Sequence, residues 1–167
     1  MRRAETKRLA LGAMLVAFAM ILSYIESLVP PLVAIPGVKL GLANIATVFV
    51  LYCLGERYAV AVSLLRVVLS SLLFGSAVSL IYSLTGAVLS LVFMILLRRI
   101  GIFTPVGVSA AGGVAHNAGQ IIAACIVLRT SAIIYYLAPL VISGTLAGIV
   151  IGTVAGILAS RLKKHIL

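Results

Sequence analysis

Two cations, one imidazole and a few amides carry almost all of the chemistry this chain could do. Lys39 and Asn44 fall in Ile35-Pro36-Gly37-Val38-Lys39-Leu40-Gly41-Leu42-Ala43-Asn44, a proline- and glycine-broken stretch between two long apolar runs. Arg66 sits near the middle of a third apolar run, with Ser63 and Ser70 on the same helical face at i, i+3 and i+7. His116 and Asn117 are followed one turn later by Gln120, and Gly112, His116 and Gln120 stack at i, i+4 and i+8. Such a set suits an anionic ligand, a carboxylate, phosphate or diphosphate, held by charge-assisted hydrogen bonds. A structural role stays open for each: Arg66 could satisfy the carbonyls of a broken neighbouring helix, and His116 could be a satisfied packing residue. Convergence of the three groups requires that their helices form one bundle.

Self-contained catalysis has little to work with. The only acids are Glu5, Glu26 and Glu56, and there is no Asp. A DDxxD-type magnesium site for prenyl transfer cannot be built, and no Walker or hydrolase motif is present. Cys53 and Cys125 lie in apolar runs and read as small buried hydrophobes rather than redox or metal groups. No metal site is expected, since His165 is in the tail with no carboxylate nearby in sequence. No bound cofactor is implied.

The elements that must position these groups are membrane helices. Of 167 residues 63% are hydrophobic and 10% charged, against about a quarter charged in a soluble domain, and the mean hydropathy is +1.31. At about 20 residues per span the chain has room for five or six helices in one transmembrane domain, 1–167, with no soluble domain. The net charge of +10 reads as topology rather than as nucleic-acid binding. Arg2, Arg3, Lys7 and Arg8 precede the first span, Arg57, Arg98 and Arg99 mark alternate boundaries, and Arg161, Lys163 and Lys164 close the chain. The positive-inside rule then puts both termini in the cytoplasm of a cell-membrane protein and requires an even number of spans, six.

Span 1, roughly 8–28, carries Ala10, Ala13 and Ala17 at i, i+3 and i+7, a strip that lets another helix approach closely. It is read as a retained helix, not a signal peptide. Glu26 near its end suits the outer interface, where a carboxylate is cheap; pairing with Lys39 or a substrate is the other reading. Span 2, roughly 41–54, is barely two-thirds of a bilayer core, and such a short, Gly/Pro-interrupted segment points to a transporter's binding site. A helix restarting at membrane depth also offers free N–H groups and its positive dipole end to an anion. Span 3 covers roughly 58–73. Span 4, roughly 77–97, has a small polar seam of Ser79, Ser83, Gly86 or Ala87, and Ser90, with Tyr82 suited to interfacial packing or a cavity wall. A loop is expected over 101–107, and span 5 follows over roughly 108–128. Span 6 begins between Ile133 and Leu140 and ends near Ser160, with Gly144, Gly148, Gly152 and Gly156 at strict four-residue spacing as a close-packing face.

The run PGVKLGLANI, the Arg in span 3 and His116-Asn117-Ala118-Gly119-Gln120 (HNxGQ) resemble the Gx transporter family, which also carries the description heptaprenyl diphosphate synthase component I. The likeness covers nearly the whole chain. That family is in turn similar to the substrate-binding S components of energy-coupling factor (ECF) vitamin importers. The resemblance implies an all-α six-helix membrane bundle with a broken, re-entrant segment between helices 1 and 2 acting as a lid or pocket floor. It implies a pocket facing outward and an AxxxA face, here Ala13 to Ala17, docking on the ECF coupling subunit while partner ATPases supply energy. The ligand would be a small anionic or amphipathic molecule: a cofactor, a flavin-type precursor, or a prenyl or quinone precursor. The alternative is a non-catalytic subunit anchoring a soluble prenyl-diphosphate synthase to the membrane.

Overall fold

The computed structural model describes residues 2–28 and 41–166. Lys39 and most of the expected re-entrant segment lie outside them. Six α-helices follow in order: α1 (Arg2–Leu28), α2 (Asn44–Cys53), α3 (Glu56–Phe74), α4 (Ala77–Ile100), α5 (Pro105–Leu128) and α6 (Leu137–Ile166), the last preceded by a 3-10 turn over Ala132–Tyr136. All except α2 are long and apolar enough to cross a membrane. At 10 residues, α2 is about 15 Å long, half of a hydrocarbon core of about 30 Å and a turn shorter than the sequence suggests.

The boundaries follow local chemistry. Ser76 caps α4 by accepting from Ser79 N at 3.1 Å, and α4 ends in left-handed Gly101 (φ 82°). Thr104 caps α5 by accepting from Gly107 N at 3.3 Å. With that cap and Pro105 at the first helical position, α5 starts a turn earlier than expected, inside the segment read as a loop.

In space α2 to α6 close a ring: each packs on its neighbour in sequence, α6 returns to α2, and α1 lies outside against α2 and α3. The centre is α2. Ala46 to Leu51 and Cys53 are all buried: a helix this short leaves its terminal N–H and C=O groups at membrane depth, where they are tolerated only if protein or a polar cavity surrounds them. The ring closes most tightly between α5 and α6. A Cβ placed on Gly148 would stand 2.5 Å from Ala110 Cα, and one on Gly152 2.7 Å from Val106 Cα. Gly144 and Gly113 face one another backbone to backbone. At Gly156 the seam has opened, since its nearest neighbour would be a Pro105 carbon at 3.5 Å.

The strands of charge gather at one end. Arg8, Arg57 and Arg98 line one open groove together with Glu5 and Glu56, Glu56 pairs with Arg99, and Arg98 lies over the Tyr52 ring at 5.4 Å. The ends of α1 and α3 carrying Glu26 and Phe74, and the start of α2, lie at the opposite end.

Candidate functional site: a polar cavity inside the bundle

All six helices contribute to one cavity of ≈ 140 Å³. It is built from the positions where the apolar pattern is interrupted. Ser23, Glu26 and Ser27 come from α1; Gly41 and Asn44 from the start of α2; Arg66, Ser70 and Ser71 from α3. Ser79, Ser83 and Ser90 line it from α4, His116, Asn117 and Gln120 from α5, and Gly144 and Gly148 from α6. Eight serines stand in this wall, among them Ser109, which a membrane interior accepts only where the hydroxyls meet helix carbonyls, one another or a polar occupant.

Arg66 is the strongest group. Its Nη2 donates to Asn44 Oδ1 at 3.1 Å, while Nε is buried without a hydrogen-bond partner. A guanidinium has five N–H donors, and an Arg at a helix centre costs about 3 kcal/mol on insertion. One amide oxygen satisfies a small part of that demand. Asn44 can reach Arg66 because α2 starts beside it: Gly41 adopts φ +73°, its carbonyl accepts from Asn44 N at 2.8 Å, and Ala43 at the N-cap supplies no side-chain oxygen. The positive end of α2 and the Arg66 guanidinium thus favour negative charge in the same space.

Glu26 answers from α1. Its Oε1 accepts the backbone N–H of Gly41, which ties the end of α1 to the foot of α2. Glu26 lines the same cavity as Arg66, and the two make no ion pair. That place is compatible with both readings the sequence leaves open for Glu26. Its approach to Gly41 depends on the return of the chain after residue 40, and no local spacing encodes that. Ser23 Oγ, a turn earlier, is buried without a partner.

The α5 group divides. Asn117 Nδ2 donates to Leu140 O at 2.6 Å and so cross-links α5 to α6. Gly144 makes this possible, because a Cβ there would stand 2.7 Å from Asn117 Nδ2. His116 packs on α4, where a Gly86 Cβ would lie 2.9 Å from its carbonyl oxygen. Among the described residues Gln120 has no hydrogen-bond partner. Tyr82 does not line the cavity, and Ser63, on the Arg66 face, is buried outside it. Ala10, Ala13 and Ala17 lie on the exposed side of α1, whereas Gly12 and Ala19 turn inward. Ser23, Ser27, Ser71 and Ser109 also line the cavity without a periodic signal of their own, since a serine on a membrane helix can equally bond its own backbone, as Ser27 does to Tyr24 O.

A helical membrane protein with a polar, charged cavity at the meeting point of its helices is the class these features define. The chain belongs to the heptaprenyl diphosphate synthase component I family, whose model matches residues 15–158. No curated protein and no solved structure matches it.

Proposed function

We propose that this chain is the substrate-binding membrane subunit of an ECF-type importer and that it takes a small polar ligand bearing an oxyanion. The observation that carries the reading is the under-satisfied Arg66 guanidinium, held by Asn44 beside the N-terminal end of α2 in a serine-rich cavity. The basic end of the bundle faces the cytoplasm by the positive-inside rule, so Glu26, Asn44 and Phe74 lie toward the outside, where an imported ligand arrives. A pairing of Lys39 with the ligand belongs to the same proposal.

Size narrows what the cavity encloses. A cavity of about 150 Å³ admits benzene, and this one is ≈ 140 Å³. That space suits a compact polar group, whether a whole small ligand or the head of a larger one extending through the open side of the cavity. The exposed Ala10, Ala13 and Ala17 face of α1, the helix outside the ring, supports docking of a coupling subunit there, with ATPases supplying energy. The family description names a synthase component; we assign no prenyl-transfer step to this chain. Its three carboxylates sit apart, with Glu5 and Glu56 in the groove at the basic end and Glu26 in the cavity.

Co-expression with an ECF coupling subunit and its ATPases, followed by detergent pull-down and mass spectrometry, tests the reading. A stoichiometric complex that retains a small molecule is expected, and Arg66→Ala should lose the molecule while keeping the complex. Recovery of a soluble prenyl-diphosphate synthase in place of the transport subunits would overturn it.

A further inference from the structure

The cavity holds charges of both signs, and this sets what can enter it. Arg66 brings a cation with most of its donors unused, and the start of α2 adds positive potential. Glu26 brings a carboxylate to the same cavity without forming an ion pair with Arg66. One oxygen of Glu26 is engaged by the Gly41 N–H, which among the described residues leaves its charge and its second oxygen for another donor. Two opposite charges kept apart across a small polar space are complementary to a ligand that is itself dipolar. A simple monoanion would satisfy Arg66 and set like charge near Glu26; a simple cation would do the reverse.

We infer that the ligand is a compact zwitterion, with a carboxylate or similar oxyanion at Arg66 and an ammonium or equivalent N–H donor at Glu26. The inference rests on the binding-subunit reading and names the substrate class of that site. The serines supply the rest of the recognition. Ser23, with a buried hydroxyl that has no partner, lines the same cavity one turn from Glu26 and offers one further polar group to a ligand. The volume, close to that of a benzene-binding void of about 150 Å³, fits a molecule the size of an ω-amino acid.

The test uses purified full-length protein in lipid nanodiscs and three probe classes of matched size. These are the zwitterions glycine, β-alanine and γ-aminobutyrate, the monoanions acetate, propionate and butyrate, and the amine butylamine, each followed by calorimetry and by the shift in unfolding temperature. At least one zwitterion should bind about tenfold or more tightly than its monoanion and than butylamine, a 1.4 kcal/mol preference. The series in chain length reads the charge separation. Glu26→Gln keeps an acceptor for Gly41 N–H but removes the charge, so it should erase the preference for zwitterion over monoanion. Wild-type protein that binds monoanions as well as zwitterions, or a preference unchanged in Glu26→Gln, would overturn the proposal while leaving an anion-binding subunit. Binding of none of the probes would also overturn it, and the subunit reading would then be judged by the pull-down alone.

Discussion

The same substitution made at two points of one helix should have opposite consequences. In Gly148→Ala the new Cβ would fall 2.5 Å from Ala110 Cα and 2.6 Å from Ser109 O. Ordinary carbon contacts lie at about 3.5–4.0 Å, so α5 and α6 must separate by about 1 Å where they are closest. Both obstacles are backbone and cannot rotate away. In Gly156→Ala, two turns on, the Cβ would meet Pro105 carbons at 3.5 and 3.8 Å, a normal contact. Alanine improves helix propensity by about 1 kcal/mol at either site, and that term cancels in the comparison. What remains is overpacking, about 1–3 kcal/mol, and the rigidity of the obstacle argues for the upper part of that range. For a chain of this size about 3 kcal/mol corresponds to roughly 6–12 °C in unfolding temperature. Cys53 is buried and not in a disulfide, so with the partly exposed Cys125 replaced by Ser a thiol-reactive dye reports unfolding as the Cys53 sulfur becomes accessible. Gly148→Ala should melt well below the wild type, and Gly156→Ala at or slightly above it. Equal melting of the two variants, or the reverse order, would refute the packing argument for α5 and α6.

Three other outcomes follow from the site and the surface. Asn117→Ala removes the bond to Leu140 O and should destabilise the protein by about 1 kcal/mol, within the range for interhelical hydrogen bonds in membranes; the dye assay reads this, and an unchanged melt would detach Asn117 from the α5–α6 contact. Arg66→Gln and Asn44→Ala should each weaken binding of the retained ligand by about tenfold or more, since a charged hydrogen bond is worth about 1.5–3 kcal/mol; titration calorimetry checks it, and unchanged affinity in both would remove the cavity assignment. Ala13→Leu and Ala17→Leu alter an exposed face, so both should melt as the wild type does but lose co-purification with the coupling subunit. Intact co-purification would remove α1 as the docking face.

Much was legible in the residues because membrane helices are written locally. Apolar length sets the spans and charged residues mark their borders, so the elements lie within about two turns of their expected places, with α1 beginning at Arg2 and α6 running to Ile166 beyond the apolar runs and α5 starting inside the expected loop. Arg66, Asn44, His116, Asn117 and Gln120 announced themselves by being polar in lipid, and all five line one cavity. The tertiary structure alone decided how they are used. Lipid does not drive apolar helices together, so the face each one turns inward is chosen by where small residues let backbones meet. Gly144 and Gly113 bring α5 and α6 close enough for Asn117 to reach Leu140, and Asn117 becomes a cross-link more than a free ligand group. The short α2, which cannot cross the membrane alone, packs against α1, α3 and α6, which sets Asn44 against Arg66 across 22 positions of sequence and Gly41 against Glu26 across 15. No periodicity within a single helix contains those pairings, and they set the sign and spacing of charge in the cavity.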